Sequence, residues 1–248
     1  MKTNQHNTTI VTRIRNRNAI FADSLPNWLQ FDMPIIVVDY RDDSCESAYE
    51  VVTAIPATES VTVIETKYEY MFLLSHAWNI GISQVQTENI LLFDVDNIML
   101  PNFFTANTLV ENSAIVGMLT PDSWHLTGIC FTATEIINRV GGFNENMVYM
   151  GHHDIDLYNR MHKAGCKLYG FATGTAIHKD HPRHMNTVNQ WVDTNSLSDE
   201  VHYNVYETMN ELNRRIAEHL PWSFASRRVE WNLTKIANSR FLAERKIQ

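Results

Sequence analysis

The chain has 248 residues, of which 44% are hydrophobic and 19% charged, and its formal net charge at pH 7 is −8. This composition is ordinary for a globular protein that can bury a sizeable core, and it excludes a disordered or low-complexity chain. The negative charge also argues against a surface built wholly for the phosphate backbone of nucleic acids.

The charge is not evenly spread along the chain. Residues 201–248 carry 8 basic and 5 acidic side chains, whereas residues 1–200 carry 12 basic and 23 acidic ones. A basic tail on an acidic body can attract an anionic partner. The alternative is that these side chains only form the solvated surface of a helix.

Cysteine usage and hydropathy indicate the compartment. Cys45, Cys130 and Cys166 are odd in number and far apart, which fits neither a disulfide framework nor a zinc ribbon. The first dozen residues are polar, and the longest aliphatic run, Ile35–Val38, is far shorter than the roughly 18 residues of a membrane span. We therefore expect a soluble cytoplasmic protein without a membrane span.

Short β-rich runs alternate with helical patterns through the first 120 residues. The predicted strands are Thr9–Thr12, Ile35–Asp39, Val61–Glu65, Ile90–Phe93 and Ala114–Met118, and the predicted helices are Ala19–Leu29 and Tyr70–Ser83. Such alternation indicates βαβ units, and hence an α/β fold with a mainly parallel sheet flanked by helices.

The second half of the chain has a mixed pattern. We predict a strand at Ile129–Thr132, helices at Thr134–Val140 and Asp154–Lys163, and tail helices at Tyr203–Leu220 and Ser226–Glu244. The sequence thus predicts one globular domain over residues 1–195 and a helical C-terminal extension over residues 196–248.

Charged residues lie at or just after the ends of three of the predicted strands. They are Arg13, Arg15, Arg17, Asp39, Asp94 and Asp96. Ligands of open α/β sheets bind beyond the carboxyl ends of the strands, where loops bring polar groups together. These residues are therefore the first candidates for a functional site.

The acidic pair after the fourth predicted strand has the spacing of a cation site. Asp94 and Asp96 follow the apolar run Ile90–Phe93, and alternate residues of an extended chain point to one side. Mg²⁺ and Mn²⁺ are often held by one or two carboxylates together with substrate phosphates. The pair alone is a weak signal, because turns and helix caps also produce it.

The segment around this pair resembles a known family. Phe72–Gly81, followed by Ile90–Asp96 and Pro101, resembles the "aRN-x-Gi" and "flD-x-D" pattern, with its later proline, of the large inverting GT-A glycosyltransferase family. The resemblance implies a Rossmann-like GT-A fold, a nucleotide-sugar donor, in particular a UDP-sugar, and a bound Mn²⁺ or Mg²⁺.

A second segment is similar to the galactosyltransferase carboxyl-terminal domain and its relatives. Gly141–Glu145 and Gly151–Leu157, followed by Arg160, resemble its "GGF-x-E" and "G-x-ED-x-D-L-x-x-R" patterns. Together the two resemblances cover roughly residues 8–180. They imply that residues 1–195 are a catalytic domain, with a nucleotide-binding half over 1–120 and an acceptor half over 121–195.

The second resemblance also implies roles for single residues. Asp154 matches the acid that serves as the family's base, although Asp154 and Asp156 could instead only begin a helix, where carboxylates suit the dipole. His153 replaces the family's Glu, which leaves the donor sugar and the acceptor open. His178 matches a third metal ligand beside Asp94 and Asp96, with the alternatives His181 and His184 close by.

The remaining implied roles concern the donor and the acceptor. The donor-binding residues implied by the resemblance are Arg13, Arg15, Arg17, Asp39, His76, Asn79, Asp94 and Val95, with Asp39 expected to accept from the uracil ring. On the acceptor side the candidates are Trp124, Gly128, His153 and Asp156. Core packing is the alternative for Trp124, and a place on the surface for His153.

Other functions compete with glycosyl transfer. A sugar-phosphate nucleotidyltransferase would carry a glycine-rich signature after the first strand, and residues 12–17 have no glycine. A non-catalytic carbohydrate-binding or nucleotide-sugar-binding protein is the other alternative, suggested by His153. For an enzyme, the acceptor could be a glycan, a small metabolite, a protein side chain or, given the basic tail, a hydroxymethylated DNA base of the phage type.

Overall fold

A computed structural model describes residues 7–40, 46–66, 73–121, 124–180, 198–223 and 230–246. The strands in these ranges are β1 (Thr8–Ile14), β2 (Ile35–Asp39), β3 (Val61–Thr66), β4 (Asn89–Leu92), β5 (Asn97–Met99), β6 (Ser113–Val116), β7 (Cys130–Ala133), β8 (Lys167–Gly170), β9 (Ala176–His178), β10 (Trp231–Ala237) and β11 (Arg240–Arg245). The helices are α1 (Asn18–Leu29), α2 (Ala48–Ala54), α3 (Leu74–Ile82), α4 (Phe103–Ala106), α5 (Thr134–Arg139), α6 (His153–Lys163) and α7 (Asp199–His219).

Nine of these strands form one sheet in the order β10-β11-β3-β2-β1-β4-β7-β6-β8, and β5 and β9 form a second sheet. The central strands β3, β2, β1 and β4 are parallel to one another. On one side β7 runs antiparallel to β4 and β6, and β8 is parallel to β6. The prediction of an α/β fold with a mainly parallel sheet is confirmed.

The sheet separates two apolar cores because successive strand residues point to opposite faces. Ile10 and Ile35 face one core, in which α1 and α2 pack, whereas Val11 and Ile36 face the other, with α3, α5 and α6. Trp28 of α1 is fully buried and its indole donates to the Asn97 carbonyl at 2.9 Å. The packing of α1 thereby anchors the chain directly after the Asp94–Asp96 pair.

The predicted second tail helix is wrong. Within its span Ser226–Glu244, the described residues form β10 and β11, an antiparallel hairpin whose second strand pairs in parallel with β3. Trp231 and Leu233, two residues apart, pack against the second core, which is the spacing of a strand and not of a helix. Ser239 has a left-handed φ of 56° in the turn between the strands. The C-terminal extension is therefore not wholly helical, and its last strand belongs to the sheet.

The first tail helix is observed as α7. Its two arginines are ion-paired within the helix, because Arg214 and Arg215 both contact Glu211 and Arg214 also contacts Glu218. The helix contains five carboxylates against these two arginines. The described part of the tail helix is thus acidic, and the predicted basic surface is not found there. None of the helices in the described ranges combines the length and the apolar character of a bilayer span.

Candidate active site

Two acids and two arginines meet where the parallel strands β1 and β4 end. Arg13 Nη2 lies 3.0 Å from Asp94 Oδ1, and Arg17 Nη1 donates to Asp96 Oδ2 at 3.0 Å. Burial raises the pKa of Asp94, and Arg13 opposes that shift. Burial likewise lowers the pKa of Arg17, and Asp96 opposes it. This edge therefore holds two ion pairs that are largely withdrawn from water.

Arg15, which lies between these two arginines in the sequence, has a different partner. Arg15 is buried and its Nη1 donates to the Tyr40 carbonyl at 3.1 Å, whereas Arg13 lies over the Trp78 ring at 5.2 Å from its centroid. Asn16, just beyond β1, has a left-handed φ of 52°, so the alternation of an extended strand does not continue. The predicted group of three arginines divides, and the first and the last are the ones that reach the carboxylates.

His178 is brought to Asp96 by the two-stranded sheet. β5 and β9 pair antiparallel with Asn97 opposite His178, and the backbone N–H of Lys179 donates to the Asp96 carbonyl at 2.7 Å. His178 Nε2 consequently lies 3.8 Å from Asp96 Oδ2. The structure thus places the predicted third ligand beside the predicted second one.

A further histidine, His125, lies beside His178. The rings of His125 and His178 have centroids 5.2 Å apart, and sequence analysis did not single out His125. His125 belongs to a short 3-10 turn between β6 and β7, and no pattern in the sequence marks it. The alternatives His181 and His184 lie outside the described residues.

The donor set partly fits a divalent cation. Within the described ranges, no three His, Cys, Asp or Glu side chains already surround a common metal position. Asp96 and His178 nevertheless offer a carboxylate oxygen and an imidazole nitrogen, which suit Mn²⁺. Asp94 Oδ1 is already paired with Arg13, so a cation that bound this oxygen would displace the guanidinium group. A cation at this edge would therefore compete with the arginines for the carboxylates.

Gly128 makes room for Asp94. A Cβ atom on Gly128 would lie 2.0 Å from Asp94 Oδ2, so any other residue at this position would displace the Asp94 carboxylate. Tyr158 of α6 fixes this segment, because its hydroxyl donates to the Thr127 carbonyl at 2.7 Å. Trp124 begins the short 3-10 turn that precedes it. The need for a glycine at 128 is therefore explained by the acidic pair.

Asp154 lies in the first turn of α6 and is partly exposed. Burial, reinforced by the negative charge of Asp94, raises the pKa of Asp154 to about 7, although Arg13 acts in the opposite direction. The two acids are thus within electrostatic range of one another. A carboxylate with a pKa near neutrality is suited to accept a proton at physiological pH.

The neighbours of Asp154 have different surroundings. Asp156 is buried and lies 2.7 Å from Arg160, which also donates to the Val140 carbonyl at 2.6 Å. The ring of His153 is buried, and its Nδ1 lies 2.7 Å from the Gly151 carbonyl oxygen. Burial lowers the pKa of His153 to about 4, so the ring is neutral at pH 7 and Nδ1 donates. His153 is therefore not the surface histidine of the alternative reading.

Two predicted donor-binding residues lie inside the protein. The Asn79 amide donates to the Phe143 carbonyl at 2.9 Å and to Glu145 Oε1 at 2.7 Å, and it accepts from the Phe143 N–H at 2.8 Å. His76 is buried with its ring centroid 6.0 Å from that of Trp231. Asn79 thus holds the turn after α5, and His76 packs against the C-terminal hairpin.

Asp39 and Val95 are also engaged with the protein. Asp39 is fully buried at the end of β2, and its Oδ2 accepts from the Ala48 N–H at 2.7 Å. It therefore stabilises the first turn of α2. The side chain of Val95 is buried in the core on the α1 side, so only its backbone can face a ligand.

The loop before α6 has an unusual backbone that α7 holds in place. Tyr149, Gly151 and His152 have φ values of 60°, 91° and 64°. A left-handed conformation costs a residue other than glycine about 1–2 kcal/mol. Asn213 of α7 is fully buried, accepts from the Val148 N–H at 2.9 Å and donates to the Gly151 carbonyl at 2.9 Å. Sequence analysis missed Asn213, which looks like any polar residue of a surface helix.

Part of the chain matches a known protein family. Residues 120–185 match a family model described as the N-terminal domain of galactosyltransferase. This range contains Gly128, Asp154 and His178. No curated protein sequence matches the chain at a significant level.

The whole fold is similar to solved glycosyltransferases. The catalytic domain of Drosophila β1,4-galactosyltransferase 7 in complex with xylobiose superposes with a TM-score of 0.60 at 11% identity, over 98% of this chain and 94% of that one. A mutant of that enzyme in complex with manganese, UDP-Gal and xylobiose gives 0.59, with the same identity and coverage. S. aureus TarS gives 0.52 at 11% identity, over 86% of this chain and 72% of that one. The predicted GT-A fold is confirmed.

Proposed function

We propose that the protein transfers a sugar from a nucleotide sugar, in particular a UDP-sugar, to an acceptor hydroxyl with inversion at the anomeric carbon. The observation that carries the proposal is the charged edge at which Arg13 pairs with Asp94, and Arg17 and His178 lie beside Asp96. Asp154, whose pKa is raised to about 7 by burial and by the charge of Asp94, supplies the candidate base. A base opposite charged groups that can hold a diphosphate is what glycosyl transfer needs. The family match around Asp154 and the shared fold support it.

On the donor side, Arg13 and Arg17 are the proposed diphosphate ligands, because guanidinium groups bind phosphate oxygens through paired donors. Asp94, Asp96 and His178 would hold Mn²⁺ or Mg²⁺, and the manganese in the UDP-Gal complex of the Drosophila enzyme supports a metal of this kind. When bound, such a cation stabilises the negative charge that develops on the departing diphosphate. Arg13 and Arg17, now paired with the carboxylates, would then face the phosphates.

The nucleoside is proposed to lie along the ends of β1 and β2. Asp39 is the last residue of β2 at this edge and is the proposed hydrogen-bond partner of the uracil ring. Its contact with the Ala48 N–H means that the same carboxylate also fixes α2. Any effect of Asp39 on nucleotide binding must therefore be separated from its effect on that helix.

On the acceptor side, Asp154 is the proposed base. Its ionised carboxylate would take the proton of the acceptor hydroxyl while the oxygen attacks the anomeric carbon from the side opposite the nucleoside diphosphate. An attack from that side inverts the configuration, so an α-linked donor gives a β-linked product. The pKa of the neighbouring His153 is lowered to about 4 and that of Asp154 is raised to about 7, so Asp154 is the stronger base of the two.

A screen of UDP-sugars for Mn²⁺-dependent transfer or hydrolysis tests the proposal, followed by nuclear magnetic resonance of the product. Asp154→Asn should keep its affinity for UDP while turnover falls about 10²- to 10⁴-fold, since that is the usual contribution of a positioned base. Glu111→Gln, at an exposed position, is the matched control for exchange of a carboxylate for an amide.

Three outcomes would contradict the proposal. A product with the donor's own configuration would exclude inversion. Near-normal turnover in Asp154→Asn would exclude this base and direct attention to His153 and Asp156. Tight binding of UDP-sugars without transfer or hydrolysis would identify a non-catalytic binding protein.

A further inference from the structure

One face of α7 continues past the loop that precedes Asp154. Tyr203, Tyr206, Asn210 and Asn213 are spaced three, four and three residues apart, which places them in one row on a helix. The lower part of this row contacts the loop: Asn213 donates to the Gly151 carbonyl at 2.9 Å, and a Cβ atom on Gly151 would lie 2.9 Å from Asn210 Cβ. The two tyrosines continue the row beyond this contact by one and two turns.

Both tyrosines remain accessible to solvent. Tyr203 is 52% exposed and Tyr206 is 39% exposed, although they lie in the row whose lower part contacts the loop before Asp154. Burial, together with the charges of Glu207 and Asp154, raises the pKa of Tyr206, so its phenol lies within electrostatic range of Asp154. Large aromatic rings that stay accessible at the mouth of a crevice commonly contact ligands through their faces.

We infer that Tyr203 and Tyr206 form an acceptor subsite, on which a sugar ring of a neutral glycan stacks with one hydroxyl directed toward Asp154. This inference rests on the proposed glycosyl transfer and adds the class of its acceptor. The apolar C–H face of a pyranose packs on an aromatic ring, and the phenol hydroxyls can hydrogen-bond to its polar rim.

The charge of α7 favours a neutral acceptor over a nucleic acid. The helix has five carboxylates, and its two arginines already pair with Glu211. A duplex brought to this face would place its phosphates beside uncompensated negative charge, and affinity for nucleic acids depends on the opposite arrangement. A neutral sugar ring brings no charge to the site, so the negative charge of α7 does not weaken its binding.

The test measures direct binding and turnover separately. Xylobiose and a panel of other neutral di- and trisaccharides are titrated into the full-length protein with isotope-labelled tyrosine rings, with and without UDP and Mn²⁺. At least one saccharide should shift the resonances of Tyr203 and Tyr206, as assigned from the Tyr→Phe variants. Absence of any such shift across the panel overturns the inference, and so does a shift caused only by duplex DNA containing hydroxymethylated bases.

Kinetics of the variants provide the second measurement. Tyr206→Ala should raise the KM for the saccharide that binds by about tenfold, the loss expected for one stacked ring, while hydrolysis of the UDP-sugar without acceptor is unchanged. Tyr206→Phe should retain most of the affinity. Tyr169→Ala, which removes a tyrosine that is 47% exposed on β8, should have no effect. An unchanged KM in Tyr206→Ala overturns the subsite.

The two measurements separate this inference from the function on which it rests. If saccharides shift the tyrosine resonances but no donor is turned over, the subsite stands and the proposed catalysis fails. If UDP-sugars are hydrolysed normally but no saccharide binds, the catalysis stands and the subsite fails.

Discussion

The donor edge and the acceptor side of the crevice are built in different ways. At the donor edge, Arg13 lies near the end of β1, and Asp94 and Asp96 lie just beyond the neighbouring parallel strand β4. Ion pairs with Arg13 and Arg17 hold the two acids. On the acceptor side, the loop before Asp154 has left-handed residues and is held by Asn213, which is more than 60 positions away in the chain. In the first region the strand pattern of the sequence positions the charged residues, whereas the second depends on a helix contact that no strand or helix pattern marks.

The largest expected effect is at the donor edge. Asp96→Ala should abolish Mn²⁺-dependent binding of UDP, because Asp96 faces both Arg17 and His178. Isothermal calorimetry with Mn²⁺ and with EDTA measures this directly, and Glu111→Ala is the surface control. Equal UDP affinity in EDTA, or an unimpaired variant, would remove the metal role from this edge.

The second largest effect is expected from a substitution that disrupts the acceptor side and leaves the donor edge intact. Asn213→Ala removes hydrogen bonds to buried backbone groups, each worth about 1–3 kcal/mol when left unsatisfied. We expect a lower melting temperature and a roughly ten- to hundredfold loss of turnover, with UDP affinity unchanged. Asn204→Ala, at an exposed position of the same helix, is the control. Equal losses of UDP affinity and turnover would mean that α7 supports the whole domain and not this loop.

The third prediction sharpens the assignment of the donor edge. Asp39→Ala should weaken UDP binding by roughly ten- to hundredfold, as expected for one charged hydrogen bond of about 1.5–3 kcal/mol. Ser47→Ala removes the side-chain cap of α2 and should lower stability by about 1 kcal/mol without changing UDP affinity. If the two variants bind UDP equally well, Asp39 serves only to fix α2.

The smallest effect is a pH dependence on the acceptor side. The pKa of Asp154 is raised to about 7 from its ordinary value of 3.8, so the folded state binds the proton more tightly than the unfolded state. Stability from this group is therefore present at acid pH and is lost as pH rises toward 7. Without divalent cations, Asp154→Asn should raise the melting temperature at pH 8 and leave it nearly unchanged at pH 4. An equal shift at both values would show that the carboxyl group is not perturbed.

Much of the donor edge could be predicted because its signals are local. The apolar runs of β1, β2 and β4 have strand periodicity, and the charged residues that follow them fall at the ends of those strands. The helix α2 was missed although its signal is present: Ser47 and Glu50 form a capping box that the sequence displays.

The acceptor side could be predicted only in part because its contacts leave no pattern of residue types in the sequence. The match of Asp154 to a family pattern located the candidate base. Asn213 could not be recognised, since its partners are backbone groups that no residue pattern reveals. The hairpin of β10 and β11 was mistaken for a helix because its fit to the sheet depends on β3, about 170 residues earlier in the chain.

The pairing of β11 with β3 also has a consequence for synthesis and solubility. Before β11 has been synthesised and paired, β3 exposes a row of unpaired N–H and C=O groups. An open sheet edge of this kind promotes association with other chains. The completed sheet ends instead at β10, where the outward side chains include Lys235, a residue type that discourages such pairing. A chain that stops before residue 230 would keep the charged edge and the candidate base but lose the strand that covers β3, and it should therefore aggregate before its chemistry could be assayed.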